Sequence, residues 1–430
     1  MSANYKRAKL FIFILCISAF GPYVFPNQGL RLEHIVIYGA FSYWIIFKID
    51  INWNKNIFIL MVLCLAVLVW MLVVSLQNIE QSTLYRLVAA FENFTQPIAL
   101  IASINMAIIN LSRLEKIELI RYSSIIILSL LSLNAFLALS SAFFDTWPFI
   151  KYFVIADDGD FEAASVSQLA QTLGRFSGIF NQPVESGLAY STGMLICVYL
   201  IPSHRSISIT AWASLLCLII GGCLSVSKTF IFGGLPLSLL YWYQLHAKRL
   251  KYSFLNITGL LFSASLLVAF LFFFKDVWQG YGFFSSVINI ENADNNLIGF
   301  FTGSRFGGGE SAVGQVFAAV WSESPIVGFG VGLPDKRAID NAMIEYFLYG
   351  GIVGLILYFL ILIVIFLAAY NTTIYDKKHG LLLMNLFLLI LGAGIGAPVL
   401  TLNRSSILLW VLILIIFGLM SKPKPAAIDQ

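Results

Sequence analysis

Apolar runs long enough to cross a lipid bilayer recur along this chain from near its start to near its end. Each is bounded by charged residues or by Pro, Gly and Asn, and a spanning helix needs roughly 20 mostly apolar residues. The pattern predicts about twelve spans. They fall near 9–25, 32–49, 57–76, 90–111, 122–144, 186–201, 208–224, 229–245, 254–274, 341–370, 381–400 and 404–420. The expected fold is an all-α polytopic membrane protein, with residues 1–430 forming one integral membrane domain.

Composition shows that the excess is global and not one anchor. Of 430 residues, 59% are hydrophobic and 11% charged, with a mean hydropathy of +0.87. Soluble domains carry nearer about 25% charged residues, so this chain lacks the polar side chains to cover a water-facing surface. A soluble enzyme, a nucleic-acid binder and a disordered chain are excluded. The five Cys all lie inside apolar runs, with neither a disulfide framework nor metal-ligand spacing among them.

Charge sets the orientation. Most of the 26 Lys and Arg, among them Lys6, Arg7, Lys48, Arg113, Arg121, Lys248, Lys377 and Lys422, fall on loops of one side. The positive-inside rule makes that side cytoplasmic, with both termini on it. Most of the 22 acidic residues fall on the other side, so the net charge of +4 reflects topology and not a polyanion-binding surface. The basic start of the first run is followed by Phe20-Gly21-Pro22-Tyr23 and no small-residue cleavage site, which predicts an uncleaved first helix and not a signal peptide.

Two connections, 145–185 and 275–340, are too long for turns, and both fall on the outer side. Loops beyond about 12–15 residues in compact proteins usually carry function or are disordered. Val313, Val316, Phe317 and Val320 of the second follow a helical spacing, predicting a short helix lying at the membrane interface.

Arg31 and Arg86, taken singly, read as side chains that snorkel to the headgroups. The other outer cations stand among Gly, Ser and Pro at loop–helix junctions. Arg175 lies in Gly174-Arg175-Phe176-Ser177-Gly178, Lys228 ends Ser225-Val226-Ser227-Lys228, Arg305 follows Gly303-Ser304, and Arg404 follows Asn403. Cations entering from separate junctions repel one another in a low-dielectric site unless an anion sits between them. At that depth the natural anion is the phosphate of a membrane lipid, which suits the guanidinium fork and nearby backbone N–H groups. No metal and no cofactor are expected. Three of the four His lie on the cytoplasmic side, and only His34 lies at the outer face, where it would have to fold across to reach the long loops. The acidic run Asp157 to Glu162 reads as a solvated loop, and Gly328-Phe329-Gly330-Val331-Gly332 as a tight turn.

Several of these motifs together resemble a family. Ser304-Arg305, Trp321, Pro325, Gly328-Phe329-Gly330, Asp340-Asn341, Gly350-Gly351 and Gly354, read in order, are similar to the signature region of the bacterial O-antigen polymerase and O-antigen ligase superfamily. Arg175-Phe176-Ser177-Gly178 with Asn181 and Pro183 resembles the motif of its earlier outer loop, and Ser225-Val226-Ser227-Lys228 its Ser-x-Ser-Arg element, with Lys in place of Arg. The motifs cover about 175–354; the first 150 residues match in hydropathy and topology alone. The resemblance implies a glycosyltransferase of the GT-C type whose donor is a saccharide on undecaprenyl diphosphate. It also implies a bacterial inner-membrane location, lipid-linked oligosaccharide and membrane lipid as partners, room for a chain-length regulator protein, and no nucleic acid. Family ligases carry His-Asn where this chain has Asp340-Asn341, a departure that favours a polymerase.

Transfer from a diphosphate needs the leaving group's charge neutralised, a role for Arg175, Lys228 and Arg305, with Arg404 as the outlying member. The attacking hydroxyl needs a base, and one displacement needs only one carboxylate. Asp340 stands first by position, followed by Glu345 and Glu185; capping of the next helix is the competing role for Asp340, and pairing with Arg175 that for Glu185. Asn181, Asn341, Trp321 and Tyr281 are the candidate sugar contacts. A ligase and a lipid-linked oligosaccharide flippase remain the alternatives. A flippase calls for ionisable groups at the bilayer midplane, and the deeper segments here are nearly uncharged.

Overall fold

The computed structural model describes residues 2–25, 30–47, 53–77, 84–154, 166–201, 209–246, 278–288, 312–331 and 341–420. Every apolar run falls on a helix except that at 254–274, which lies outside the described residues. In chain order the helices are α1 (Ala3–Ala19), α2 (Leu32–Phe47), α3 (Lys55–Gln77), α4 (Leu84–Ile108), α5 (Arg113–Ser141), α6 (Trp147–Ile150), α7 (Val166–Thr172), α8 (Pro183–Leu200) and α9 (Ile209–Leu224). A π-helical stretch, Thr229–Gly234, leads into α10 (Leu235–His246). Then come α11 (Tyr281–Ile288), α12 (Ala312–Glu323), α13 (Ala342–Tyr375), α14 (Lys377–Gly394) and α15 (Asn403–Gly418).

Helices α3, α5, α13 and α14 are each long and apolar enough to cross a membrane. Their exposed faces stay greasy: Leu133 and Phe136 of α5 are each 67% exposed. In water such a surface would aggregate, but against lipid tails it is at home because the helices satisfy their own backbone polar groups. The chain is an all-α membrane protein.

Two helices form the centre. Every residue of α15 from Ile407 to Phe417 is at most 1% exposed, and α8 is buried from Pro183 to Tyr199 apart from the half-buried Val184. Apolarity on all sides is what lets a helix be surrounded, and α15 packs on α1, α3, α4, α5, α8 and α14. Its ends are anchored by opposite charges. Lys116 Nζ donates to Gly418 O (2.9 Å) at the C-terminus, and Glu185 Oε1 accepts from Arg404 N (2.9 Å) at the N-terminus. Both match the helix dipole and satisfy groups that a helix end leaves unpaired.

The first helix ends at Ala19, short of the expected 25, because Pro22 cannot continue it. The chain instead makes a small antiparallel ribbon, β1 (Tyr23–Phe25) with β2 (Leu30–Arg31), pairing Tyr23 with Arg31. No strand was expected from the hydropathy pattern.

Helix α13 is broken near its start. Gly351 takes φ 59, ψ −154, and a Cβ there would collide with Ile326 O, so the position requires glycine. The segment 325–330 restores the lost hydrogen bonds: Phe329 N donates to Leu348 O (2.8 Å), Gly330 N to Tyr349 O (3.0 Å), and Ile352 N to Pro325 O (2.9 Å). Trp70 Nε1 takes the freed Gly350 O at 2.9 Å. The Gly-Phe-Gly turn is thus the splint of a broken helix. The helix expected from Val313 to Val320 exists as α12, and it packs on the first turns of α13, with Val320 fully buried and Phe317 stacked on Phe347 at 5.2 Å.

Candidate functional site

The segment from Gly174 to Gln182 is non-helical, yet much of it is buried at the head of the central helix α8. Irregular backbone survives in such a place only when its polar groups find partners within the protein. They do. Trp278 Nε1 donates to Gly174 O (2.6 Å), Arg175 N to Ala170 O (2.9 Å) and Phe176 N to Leu224 O (2.9 Å). Asn134, two turns before the end of α5, donates to Ser177 O (3.2 Å) and accepts from Ile179 N (2.9 Å). Arg404 Nη1 donates to Ile179 O (2.5 Å), and Asn181 N donates to Glu185 Oε2 (3.0 Å). The loop is therefore a rigid platform set by the side chains of Asn134, Glu185, Trp278 and Arg404 and by main-chain carbonyls of α7 and α9.

On that platform Arg175 is half-buried and donates from Nη2 to Val226 O (3.2 Å). This brings it to the Ser225–Lys228 turn. Val226 sits at φ 45, a left-handed conformation that a β-branched residue tolerates only at a cost of about 1–3 kcal/mol. The strain aims the Val226 carbonyl at Arg175, and the π-helical stretch follows directly, a feature frequent at functional sites. Lys228 is half-buried at the head of that stretch. Ser177 and Ser227 are 1% and 2% exposed, and neither hydroxyl has a hydrogen-bond partner among the described residues. Ser227 Oγ packs against Gly187 of α8, and a buried hydroxyl such as that of Ser177 is commonly completed by a ligand or water.

Arg404 and Glu185 belong to a different structure from the one expected. Arg404 is fully buried; besides Ile179 O, it donates from Nη2 to Gly21 O (2.9 Å), and its Nε lies 4.0 Å from Glu33 Oε1. It also lies over the Tyr23 ring at 5.5 Å. A guanidinium so enclosed ties α1, α2 and the 174–182 loop to α15, and it is not open to a diphosphate. Glu185, also fully buried, does not pair with Arg175: its two oxygens accept the N–H groups of Asn181 and Arg404. It brackets the N-termini of α8 and α15, which removes it as the free base. Asn181 is similarly committed, donating from Nδ2 to Tyr23 Oη (3.0 Å). Burial pushes the Tyr23 phenol above its usual range, against the opposing pull of Arg31 and Arg404.

Arg31 is no snorkelling residue. The ribbon carries it to 2% exposure, where Nη1 pairs with Glu33 Oε1 (3.0 Å) and Nη2 donates to His34 Nε2 (2.6 Å). The same His34 nitrogen lies 3.1 Å from Glu92 Oε1. Arg31, Glu33, His34 and Glu92 thus join Arg404 and Glu185 in one buried ionic cluster that sequence reasoning missed. Its only sequence signal was the Arg31-x-Glu33-His34 spacing at the head of an apolar run. Arg86 falls in the first turn of α4.

The remaining candidates stand on α11, α12 and α13. Asn341 caps α13, accepting from Ile344 N (3.0 Å) and donating to Ile395 O (2.9 Å), so it is structural. Glu345 lies in the first turn, and its Oε2 is buried without a hydrogen-bond partner among the described residues. Trp321 is 58% exposed and stacks on Phe317. Tyr281 packs beside Trp278, the residue that holds Gly174. Asp340, Arg305 and the run Asp157–Glu162 lie outside the described residues. Among the described residues no group of three or more His, Cys, Asp or Glu is arranged to hold a metal ion.

No protein-family model matches the chain, and no curated protein matches it significantly.

Proposed function

We propose that this protein is a polysaccharide polymerase of a bacterial inner membrane, with about twelve crossings and both termini cytoplasmic. It would transfer a surface glycan, O-antigen or a related polymer, from undecaprenyl diphosphate to a lipid-linked repeat unit at the outer face. The observation that carries the reading is the rigid loop holding Arg175 against the strained turn that leads to Lys228, with the buried, unpartnered hydroxyls of Ser177 and Ser227 in the same two segments. That arrangement suits a lipid diphosphate, whose oxygens accept from guanidinium, ammonium and hydroxyl donors together. Arg305 joins the clamp by its place in the sequence motif; Arg404 does not.

In the reaction, the acceptor hydroxyl oxygen attacks the anomeric carbon of the donor glycan. The bond from that carbon to the diphosphate oxygen breaks, and undecaprenyl diphosphate leaves with the electron pair, its charge met by Arg175, Lys228 and Arg305. The hydroxyl proton passes to a carboxylate, Asp340 by motif position or Glu345, whose buried oxygen is unpartnered. One displacement inverts the anomeric centre, and no step calls on a metal. Of the buried ionic cluster, Glu33, His34, Glu185 and Arg404 stand in the first turns of α2, α8 and α15 and Glu92 alone stands further along its helix, α4; this gathering at helix ends supports an enzyme over a flippase.

The test is reconstitution of the purified protein with an undecaprenyl-diphosphate repeat unit in the presence of a chelator. A ladder of products spaced by one repeat is expected, and Arg175→Ala and Arg305→Ala abolish it while both variants stay in the membrane. Transfer only after lipid A-core is added would make the protein a ligase. Lipid binding with no transfer in either assay would make it a flippase.

A further inference from the structure

A cavity of about 520 Å³ lies beside the Arg175 loop, between the end of α5, α6, α7 and the segment before α11. We propose that it is an oligosaccharide subsite, which holds a repeat unit of the glycan while its diphosphate or its attacking hydroxyl meets the Arg175 platform. This rests on the polymerase reading and specifies where that enzyme holds sugar.

The wall chemistry selects the ligand. Trp147 and Phe176 offer aromatic faces, and Gln168, Gln171, Gln279 and Asp145 offer paired acceptors and amide donors. Pyranose rings have the same division, with C–H faces that stack on aromatic rings and hydroxyl edges that bond to amides and carboxylates. Among the described residues the lining contains no Lys or Arg, so it is not a phosphate site. Phe143 and Phe144 add apolar wall, but against an acyl chain the amides and carboxylate beside them would lose water without gaining partners. The volume lies within the range of roughly 300–1,000 Å³ found for small-molecule sites.

A second observation points to an occupant. Gln171 Nε2 is buried and has no hydrogen-bond partner among the described residues, although it lines the cavity. The half-buried Gln171 side chain has to turn to bring this donor to a ligand in the cavity, where the bond it lacks would form. The position also fits. Phe176, the residue after Arg175, forms part of the wall, and Gln279 precedes the Gly280 that packs on Gly174. A glycan in the cavity is therefore held next to the candidate diphosphate clamp.

The experiment uses the full chain in lipid nanodiscs. The probe is the lipid-free oligosaccharide released by mild acid from the lipid-linked pool of cells lacking this activity. Calorimetry and saturation-transfer NMR should show saturable binding, weakened about tenfold by Gln171→Ala and at least as much by Trp147→Ala. Arg175→Ala should bind the oligosaccharide normally while making no polymer. No binding to the wild type, or equal binding by wild type and both cavity variants, overturns the subsite even if polymerisation proceeds. Gln171-dependent binding in a protein that makes no polymer leaves the subsite standing and overturns the polymerase reading instead. Thermal unfolding of Gln171→Ala alongside wild type separates lost contact from lost fold.

Discussion

Replacing Arg404 by Met keeps the volume and removes the guanidinium, so it isolates what that group does. In the wild type it serves Ile179 O at 2.5 Å and Gly21 O at 2.9 Å, with Glu33 Oε1 at 4.0 Å. The variant leaves two buried carbonyls without donors and a buried carboxylate facing one cation fewer. An orphaned buried polar group costs about 1–3 kcal/mol, and breaking a buried ion pair about 3–5 kcal/mol. These overlap because the same side chain supplies both, so the expected loss is about 3–5 kcal/mol, or two to four powers of ten in the folding equilibrium. The bond from Arg404 N to Glu185 is main-chain and survives. Arg175→Met, which gives up the Val226 carbonyl at a half-buried site, should cost only about 1–2 kcal/mol. Unfolding by sodium dodecyl sulfate in mixed micelles, followed by circular dichroism, measures both. Adding Glu33→Gln to Arg404→Met should recover part of the loss by removing the uncompensated charge. An Arg404→Met protein as stable as wild type yet without polymer would refute the structural assignment and return Arg404 to the diphosphate clamp.

Three further outcomes are expected. Gly351→Ala places a Cβ against Ile326 O at a positive φ and should destabilise the protein by about 1–3 kcal/mol, with faster amide exchange confined to 325–330 and the start of α13; unchanged exchange there would remove the splint. Asn134→Leu strips the 177–179 backbone of its partners and should abolish polymer while α5 stays folded, read by activity against circular dichroism. Asp376 caps α14 and bonds His379, with Arg113 at 3.4 Å, and the His379 hydrogen bond holds its carboxyl below the usual range. A depressed folded-state pKa means that its contribution is full above the unfolded value of about 3.9 and is lost as pH falls through the folded value. Asp376→Asn should therefore lower the melting temperature at neutral pH, and the gap to wild type should close in acid.

Membrane residence, helical class and the position of the long apolar helices were legible in the sequence, because a bilayer imposes a length and a polarity that each segment must meet by itself; the short helices α6, α7 and α11 were not. The α12 helix was legible for a similar reason, since the spacing of Val313, Val316, Phe317 and Val320 is a local property. That Arg175 reaches the Ser225–Lys228 turn through the Val226 carbonyl is a tertiary contact that residue type and spacing do not specify. What the sequence could not express was which charged groups satisfy one another. Arg404 and Glu185 looked like ligand-facing residues, and Arg31 like a snorkelling one, because each stands at the edge of an apolar run. Only the packing of α8 and α15 at the centre, with the ribbon folded over their N-termini, turns those edges into a sealed ionic cluster. The cavity beside Arg175 is of the same kind. Its walls come from the end of α5, α6 and α7, with Gln279 brought in from far along the chain, and their juxtaposition exists only once the fold has closed.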